Sequence, residues 1–227
     1  MILEGEKGLL ERTPRREILR YMGIRSGEPD PALGKTLDRC FSEMLSAAEP
    51  RAAVETDPLA LGGEDVLTIG MVAVQSRDLS RNLRGCRSVY WMAATLGAGA
   101  DRVIRRAGVL GAGEHLCCEA IGSAMAECWC DYINDRLKEE AAKEGTLLRP
   151  RFSPGYGDFS LEHQTELFRI LEVQQKIGVT LTGSLLMMPS KSVTAVIGLS
   201  EENTHCMLQG CEACGKRDCS FRRNQRP

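Results

Sequence analysis

The sequence predicts an α+β fold built on a mainly antiparallel sheet flanked by helices. Two observations carry this prediction. Segments with helical periodicity and segments with strand periodicity occur in separate runs, and the regular strand–helix–strand alternation of parallel sheets is absent. A chain of 227 residues can bury a hydrophobic core without covalent cross-links. Its ten cysteines are therefore not needed as disulfides to stabilise the fold.

The composition excludes several functional classes. The 29 basic and 31 acidic residues give a formal net charge of −2, which argues against nucleic acid as a partner. No apolar run approaches the ~18 residues that a membrane span needs, and the N-terminal residues lack the apolar run of a signal peptide. We therefore expect a cytoplasmic protein without a membrane partner, whose thiols are reduced.

The first 50 residues are predicted to form a helical segment. Thr13-Pro14 and Asp30-Pro31 each combine a capping side chain with a proline, which is favoured at the first helical position. Residues 52–74 then contain short β-prone pieces broken by glycines, which predict strands joined by tight turns.

A further predicted strand over 88–96 leads into Gly97-Ala-Gly99. This motif resembles the start of a dinucleotide-binding fingerprint, but Arg102 occupies the place of the third glycine. We interpret it as a strand-to-helix turn.

The longest helix is predicted over 114–144. Another helix, capped by Ser160, follows the loop after it. The strand-like segments 179–182 and 192–199 are then predicted to pair as a hairpin.

Glu127 is the most informative residue of the long helix. Its neighbours on the helix surface include Ala120, Ser123 and Ala124, whose small side chains leave space beside a carboxylate. One interpretation is a docking groove for a cationic ligand. The alternative is a solvated charge on a helix whose small residues admit another helix, and the spacing alone leaves both open.

The loop over 149–159 combines arginines, prolines and glycines with three aromatic residues. An arginine can bind a carboxylate through two parallel hydrogen bonds, and an aromatic ring can stack on a base or ribose. Arg151, Gly155 and Tyr156 would therefore suit an anionic, aromatic small molecule. An ordinary rigid connector is the alternative.

These segments resemble a known family. Arg151-Phe-Ser-Pro-Gly155-Tyr156, Gly178-Val-Thr-Leu-Thr182 and Met187-Met-Pro-Ser-Lys-Ser-Val193 are similar to the R-x-x-x-G-Y loop and the following strand pair of the activation domain of vitamin B12-dependent methionine synthase. Met125-Ala-Glu127 resembles the L-A-E of the preceding helix in that domain. The N-terminal half, with Ala93 to Asp101, resembles the stand-alone form of the same domain.

The resemblance implies an α+β domain around a bent antiparallel sheet that binds S-adenosylmethionine. It implies that Arg151 binds the methionyl carboxylate and that Glu127 faces the positively charged end. Phe152 belongs to the loop that holds the ligand, and Gly155 and Tyr156 form the wall near the adenosine. In the fused domain a tyrosine-bearing segment follows the strand pair, whereas Glu201 and Glu202 stand there in this chain.

The implied function is that of an S-adenosylmethionine-binding reactivation subunit. It would support reductive remethylation of cob(II)alamin in a cobalamin-dependent methionine synthase that lacks its own activation domain. That partner holds the cobalamin, and a flavodoxin-like donor supplies the electron. The chain would be an accessory component and not an independent enzyme, with no catalytic residue of its own.

The last 22 residues contain four cysteines that the fused domain does not share: Cys206, Cys211, Cys214 and Cys219. Their spacing is typical of a zinc site or an iron–sulfur cluster. A redox dithiol and unliganded cysteines are the alternatives. A cluster would favour a second function, a metal- or Fe–S-containing reductive activator of another corrinoid methyltransferase.

The remaining six cysteines are expected to be small packing residues; they are Cys40, Cys86, Cys117, Cys118, Cys128 and Cys130. The predicted organisation is an N-terminal helical segment (1–50), the S-adenosylmethionine-binding activation domain (51–205) and a short Cys-rich C-terminal appendage (206–227). Residues 1–205 are expected to form one structural unit.

Overall fold

The structure is a computed structural model that describes residues 1–24, 27, 29–63 and 65–201. The helices are α1 (Lys7–Leu10), α2 (Arg15–Tyr21), α3 (Pro31–Ala47), α4 (Arg77–Asn82), α5 (Ala98–Leu110), α6 (Ala112–Lys143), α7 (Gln164–Leu171) and α8 (Val173–Ile177), with a 3₁₀ turn at Leu161–His163. The strands are β1 (Ile2–Glu4), β2 (Arg51–Leu61), β3 (Val66–Ile69), β4 (Val72–Gln75), β5 (Cys86–Thr95), β6 (Leu147–Leu148), β7 (Thr180–Leu181), β8 (Met187–Met188) and β9 (Ser192–Ser200). Within these ranges, no helix has the length and apolar character that crossing a bilayer would require.

One sheet contains seven of the strands, in the order β4-β3-β2-β5-β9-β6, and β1 also pairs with β2. Every strand pair in the described residues is antiparallel. The long strand β2 pairs with β5 over 51–58 and with β3 over 59–61. The expected α+β fold with a mainly antiparallel sheet flanked by helices is confirmed.

Helices cover both faces of this sheet. Because successive side chains of a strand point to opposite sides, neighbouring residues of one strand belong to different cores. Met92 and Ile197 belong to a core shared with α1, α2, α3, α5 and α6. Their neighbours Trp91 and Val196 belong to a second core with α4, α7 and α8. The β5 and β9 strands are therefore apolar on both faces.

Local signals account for the start of α3 but only in part for α2. The Asp30 carboxylate accepts hydrogen bonds from the backbone of Ala32 and Leu33 at 2.9 and 3.2 Å, with Pro31 in the first turn. The Thr13 hydroxyl instead donates to the carbonyl of Leu10 at 2.7 Å. Thr13 therefore closes the turn after α1 and does not cap α2.

The predicted hairpin between 179–182 and 192–199 is wrong. Thr180–Leu181 pairs with Met187–Met188, whereas Ser192–Ser200 pairs with β5 and β6 in the main sheet. A tight turn brings the shorter partners together, with Leu185 in the left-handed backbone region at φ 61°. The turn closes before the chain reaches Ser192.

The six cysteines of the described residues are free thiols, five of them buried and Cys128 half-buried. Burial raises the pKa of Cys130 to about 12, and burial together with Cys40 raises that of Cys118 to about 12. These thiols stay protonated near neutral pH, as expected of packing residues. The four tail cysteines lie outside the described residues.

Gly97-Ala-Gly99 is a strand-to-helix turn, as predicted. Gly97 adopts φ 79° between β5 and α5, and its N–H donates to Thr95 Oγ1 at 3.0 Å. At Gly99 a Cβ atom would overlap the carbonyl of Ala47, so a glycine is required where α5 passes the end of α3.

We predict that Gly99→Ala lowers the free energy of unfolding by about 2–3 kcal/mol, because the methyl group forces α5 away from α3. Gly113→Ala is the matched control, since a Cβ at that helical position meets nothing within 4 Å. It should leave stability unchanged or raise it by up to ~1 kcal/mol. Urea unfolding followed by circular dichroism measures both, and equal stabilities would contradict the close contact.

Candidate functional site

The loop after β6 is anchored to the outer edge of β9. The Arg149 N–H donates to the carbonyl of Gly198 at 2.8 Å, and Phe152 and Val196 exchange backbone hydrogen bonds of 2.9 and 2.8 Å. Arg151 lies between these two anchors. The sheet edge therefore fixes the backbone that carries the Arg151 side chain.

Arg151 reaches α6 and meets two carboxylates there. Its Nη2 lies 2.9 Å from Asp131 Oδ1 and 3.4 Å from Glu127 Oε2. The Arg151 side chain is 20% exposed, against 39% for Glu127 and 57% for Asp131. Burial works to lower the pKa of Arg151, but neighbouring Cys130 and the two carboxylates outweigh it, so that the pKa is raised. The guanidinium is permanently charged.

The structure thus brings together Arg151 and Glu127, the two charged residues predicted for the site. Asp131 was not among the site residues predicted from the sequence. Its spacing was an available signal, because a residue four positions after Glu127 lies on the same face of a helix. Only the placement of the loop reveals that one arginine contacts both carboxylates.

Lys191 also lies on this face of α6. Its Nζ is 2.6 Å from Glu119 Oε2 and 3.1 Å from Ser123 Oγ. Its aliphatic chain passes over Gly122, where a Cβ would come within 3.0 Å of the lysine Cε. The segment that follows β8 therefore docks on the same helix as Arg151, about one turn before Glu127.

The small residues near Glu127 divide between two environments. Ala120 and Ala124 are 3% and 2% exposed and belong to the core that α6 shares with the sheet and the other helices. Ser123 is half-buried beside Lys191. The interpretation of both alanines as the lining of a ligand groove is wrong, and their small size serves packing.

The other predicted binding residues occupy the same loop. Gly155 has φ 89°, in the left-handed region that favours glycine, and its N–H donates to the carbonyl of Phe159 at 2.8 Å. Tyr156 is 69% exposed, whereas Phe159 is buried. The Phe152 ring packs in the second core, 6.3 Å from that of Phe159. Tyr156 is thus the aromatic side chain that the loop presents to solvent.

The Asp158 carboxylate holds the far end of the loop against the start of α4. It accepts hydrogen bonds from Ser76 Oγ at 2.6 Å and from the backbone N–H groups of Arg77 and Asp78 at 3.0 and 3.1 Å. The hydrogen bond from Ser76, with those from the backbone, lowers the pKa of Asp158. The loop is therefore fixed at both ends.

A second carboxylate holds the segment after β8. Asp101, in the first turn of α5, accepts hydrogen bonds from the N–H and the hydroxyl of Ser190 at 2.8 and 2.9 Å. This contact was not predicted from the sequence. Glu201 lies at the opposite end of β9 from Ser192 and forms an ion pair with Arg87 at 3.3 Å; Glu202 lies outside the described residues.

Across the ranges that the structure describes, no three His, Cys, Asp or Glu side chains are grouped closely enough to hold a metal ion. The predicted metal ligands Cys206, Cys211, Cys214 and Cys219 all lie beyond those ranges. Their role therefore stays a prediction.

Comparisons with known proteins found a family match and a similar fold. Residues 114–219 match a family model described as the activation domain of vitamin B12-dependent methionine synthase. A solved structure, titled as a crystal structure of the MetH reactivation domain bound to AdoHcy, superposes with a TM-score of 0.65. It is 16% identical in sequence, and the alignment covers 90% of this chain and 79% of that one. A search of curated sequences found no match.

We predict that Asp158 makes the stability of the fold depend on pH. A carboxyl whose pKa is lowered on folding adds its full contribution to the free energy of unfolding above its ordinary pKa of about 3.9. That contribution is lost as the pH falls through the pKa of the folded protein. Between about pH 5 and pH 3 the wild type should lose more stability than Asp158→Asn. Urea unfolding at several pH values measures this difference. Asp135→Asn, which removes an exposed carboxylate paired with Lys138, should follow the wild type, and parallel curves for all three proteins would contradict the loop-anchoring role.

Proposed function

We propose that this chain, whose residues 114–219 match the family model for the activation domain of vitamin B12-dependent methionine synthase, is an S-adenosylmethionine-binding reactivation subunit. In this role it supports the reductive remethylation of cob(II)alamin in a cobalamin-dependent methionine synthase that lacks its own activation domain. The fold shared with the MetH reactivation domain supports the proposal.

The observation that carries the proposal is the contact of Arg151 with Glu127. A guanidinium and a carboxylate side by side match the amino-acid end of S-adenosylmethionine, which has a carboxylate and an ammonium group. On binding, the ligand carboxylate accepts hydrogen bonds from Arg151, and the ligand ammonium group donates to the Glu127 carboxylate. The arginine is already largely removed from water, so binding adds little desolvation cost on the protein side.

The loop supplies the remaining contacts in this proposal. Tyr156 projects its ring into solvent, where it can stack against the adenosine. The positive φ of Gly155 lets the backbone approach the ligand without a side chain between them. Phe152 contributes through its backbone pairing with Val196, which fixes the loop, and its ring stays in the core.

The protein's part in the reaction is positioning. The partner's cobalamin would supply the methyl acceptor, and a flavodoxin-like donor would supply the electron that returns it to its reduced state. Transfer of the methyl group would break the ligand's carbon–sulfur bond and leave the electron pair on sulfur, as a neutral thioether. Arg151 and Glu127 orient the sulfonium for this in-line displacement, for which orientation is the main source of rate acceleration. No nucleophile or general base from this chain takes part, so the chain is an accessory component.

We also propose that Cys206, Cys211, Cys214 and Cys219 bind zinc or an iron–sulfur cluster, on the strength of their spacing. The metal content and visible absorbance of anaerobically purified protein test this, with a Cys211→Ser/Cys214→Ser variant as control. Zinc without charge-transfer bands would make the tail structural. Iron with such bands would favour the reductive activator. Purified protein that contains neither zinc nor iron would contradict the proposal.

We predict that Arg151→Ala weakens S-adenosylmethionine binding by roughly 10- to 100-fold, because a charge-assisted hydrogen bond to the ligand carboxylate is lost. Arg151→Lys should bind with intermediate affinity, since an ammonium group cannot form two parallel hydrogen bonds to a carboxylate. Isothermal titration calorimetry gives the dissociation constants.

Arg136→Ala is the matched control. Arg136 lies on α6, is exposed and pairs with Glu139 at 3.5 Å, so its loss should leave the affinity unchanged. Circular dichroism of each variant confirms that it is folded. No binding to the wild type, or equal affinities for the wild type and Arg151→Ala, would contradict the proposed site.

A further inference from the structure

We infer that the groove between α2 and α3 is a second binding site, which takes a free α-amino acid with an apolar side chain. The groove encloses a cavity of about 270 Å³. Sites for drug-sized ligands occupy ~300–1,000 Å³, so this volume suits a ligand the size of a single amino acid. None of the lining residues belongs to the cluster around Arg151, and the groove is therefore separate from the ligand site of the proposed function.

An ion pair between the two helices provides the charged groups of the groove. Arg15, at the start of α2, donates from Nη1 to Oδ1 of Asp38 in α3 at 2.5 Å, and both side chains are exposed. Gly34 lies one turn before Asp38, and a Cβ at that position would be 3.8 Å from Arg15 Nη2. The guanidinium thus lies beside a position that has no side chain of its own.

The floor of the groove is apolar. Ile18 from α2 and Leu37 from α3 are buried in the core that these helices share with α6, and Phe41 packs against the same core. An apolar ligand side chain that lies on this floor is removed from water, which favours binding in proportion to the apolar area covered. A charged side chain would instead lose its hydration without an ionic partner on the floor.

The two hydroxyl groups of the lining already donate to the backbone. The Thr13 hydroxyl donates to the carbonyl of Leu10 at 2.7 Å, and the Ser42 hydroxyl donates to the carbonyl of Asp38 at 3.1 Å. Their protons are therefore engaged within the protein. The recognition of a charged ligand falls to the carboxylate of Asp38 and the guanidinium of Arg15.

A zwitterion complements this ion pair. The ligand carboxylate accepts hydrogen bonds from Arg15, and the ligand ammonium group donates to Asp38. An exposed ion pair contributes little to stability, so its rearrangement around a ligand costs little. A free amino acid carries both charges next to each other, whereas a residue within a peptide carries neither. The ion pair and the apolar floor together select a free amino acid with an apolar side chain.

Isothermal titration calorimetry of the full chain with L-leucine and L-methionine tests the inference. The titrations are made with saturating S-adenosylmethionine and repeated with Arg151→Ala, because the amino-acid end of a ligand could otherwise bind at Arg151. We expect both amino acids to bind in both experiments. Leucinamide lacks the carboxylate, 4-methylpentanoate lacks the ammonium group and L-glutamate has a charged side chain, so each should bind at least about 10-fold more weakly.

Arg15→Ala and Asp38→Asn should each weaken the binding of L-leucine about 10-fold, because each removes one charge-assisted contact. Neither should change the affinity for S-adenosylmethionine. Arg16→Ala is the matched control, since it removes the same charge from an exposed neighbouring position of α2, and it should leave the affinity for L-leucine unchanged. Circular dichroism confirms that each variant is folded.

No binding of either amino acid to the wild type would overturn the inference and leave the proposed function intact. Equal affinities for L-leucine in the wild type, Arg15→Ala and Asp38→Asn would also overturn it. Binding that is lost in Arg151→Ala but kept in Arg15→Ala would overturn it by assigning the amino acid to the other site. Binding of L-leucine that depends on Arg15, in a chain that does not bind S-adenosylmethionine, would support the inference and contradict the proposed function alone.

Discussion

The antiparallel pairing of β5 with β9 is the constraint on which the rest of the structure depends. β9 is the last described strand, yet it lies inside the sheet, between β5 and β6. Its inner edge keeps a continuous register with β5 from Ser88 to Thr95, and its outer edge anchors the loop at Phe152. A slip of one residue would exchange the side chains of the two cores, and it would also move Arg151 away from α6. The register of one strand pair therefore determines both the core and the site.

The site itself is a compromise between burial and charge. Arg151 is withdrawn from water beside two carboxylates, and such an arrangement is weak evidence for stability, because desolvation offsets much of the attraction. Its value lies in orientation, since a guanidinium held in advance loses little freedom when a ligand binds. Anchors at the two ends of the loop, at Phe152 and Asp158, serve the same purpose. The loop at the sheet edge and the long helix α6 thus hold Arg151 and Glu127 in position relative to each other.

The parts of this structure that local chemistry determines could be predicted from the sequence. The cap of α3 at Asp30 and the turn at Gly97 depend on residues within a few positions of one another. Which strands pair with one another could not be predicted in this way. The strand-like segments 179–182 and 192–199 could pair as a hairpin by their sequence pattern, but a turn through Leu185 pairs Thr180–Leu181 with the nearer Met187–Met188. Helical spacing likewise puts Asp131 beside Glu127, whereas its contact with Arg151 depends on how a distant sheet edge positions the loop.

The most direct measurement of the central claim is a reconstitution of methyl transfer. A cobalamin-dependent methionine synthase without its activation domain is prepared with cob(II)alamin, a low-potential one-electron reductant and S-adenosylmethionine labelled in its methyl group, with and without this chain. Labelled methylcobalamin, measured by absorbance and label incorporation, should form when the chain is present, and little should form without the chain or with Arg151→Ala. Equal formation with and without the chain, while the chain binds S-adenosylmethionine, would contradict the account.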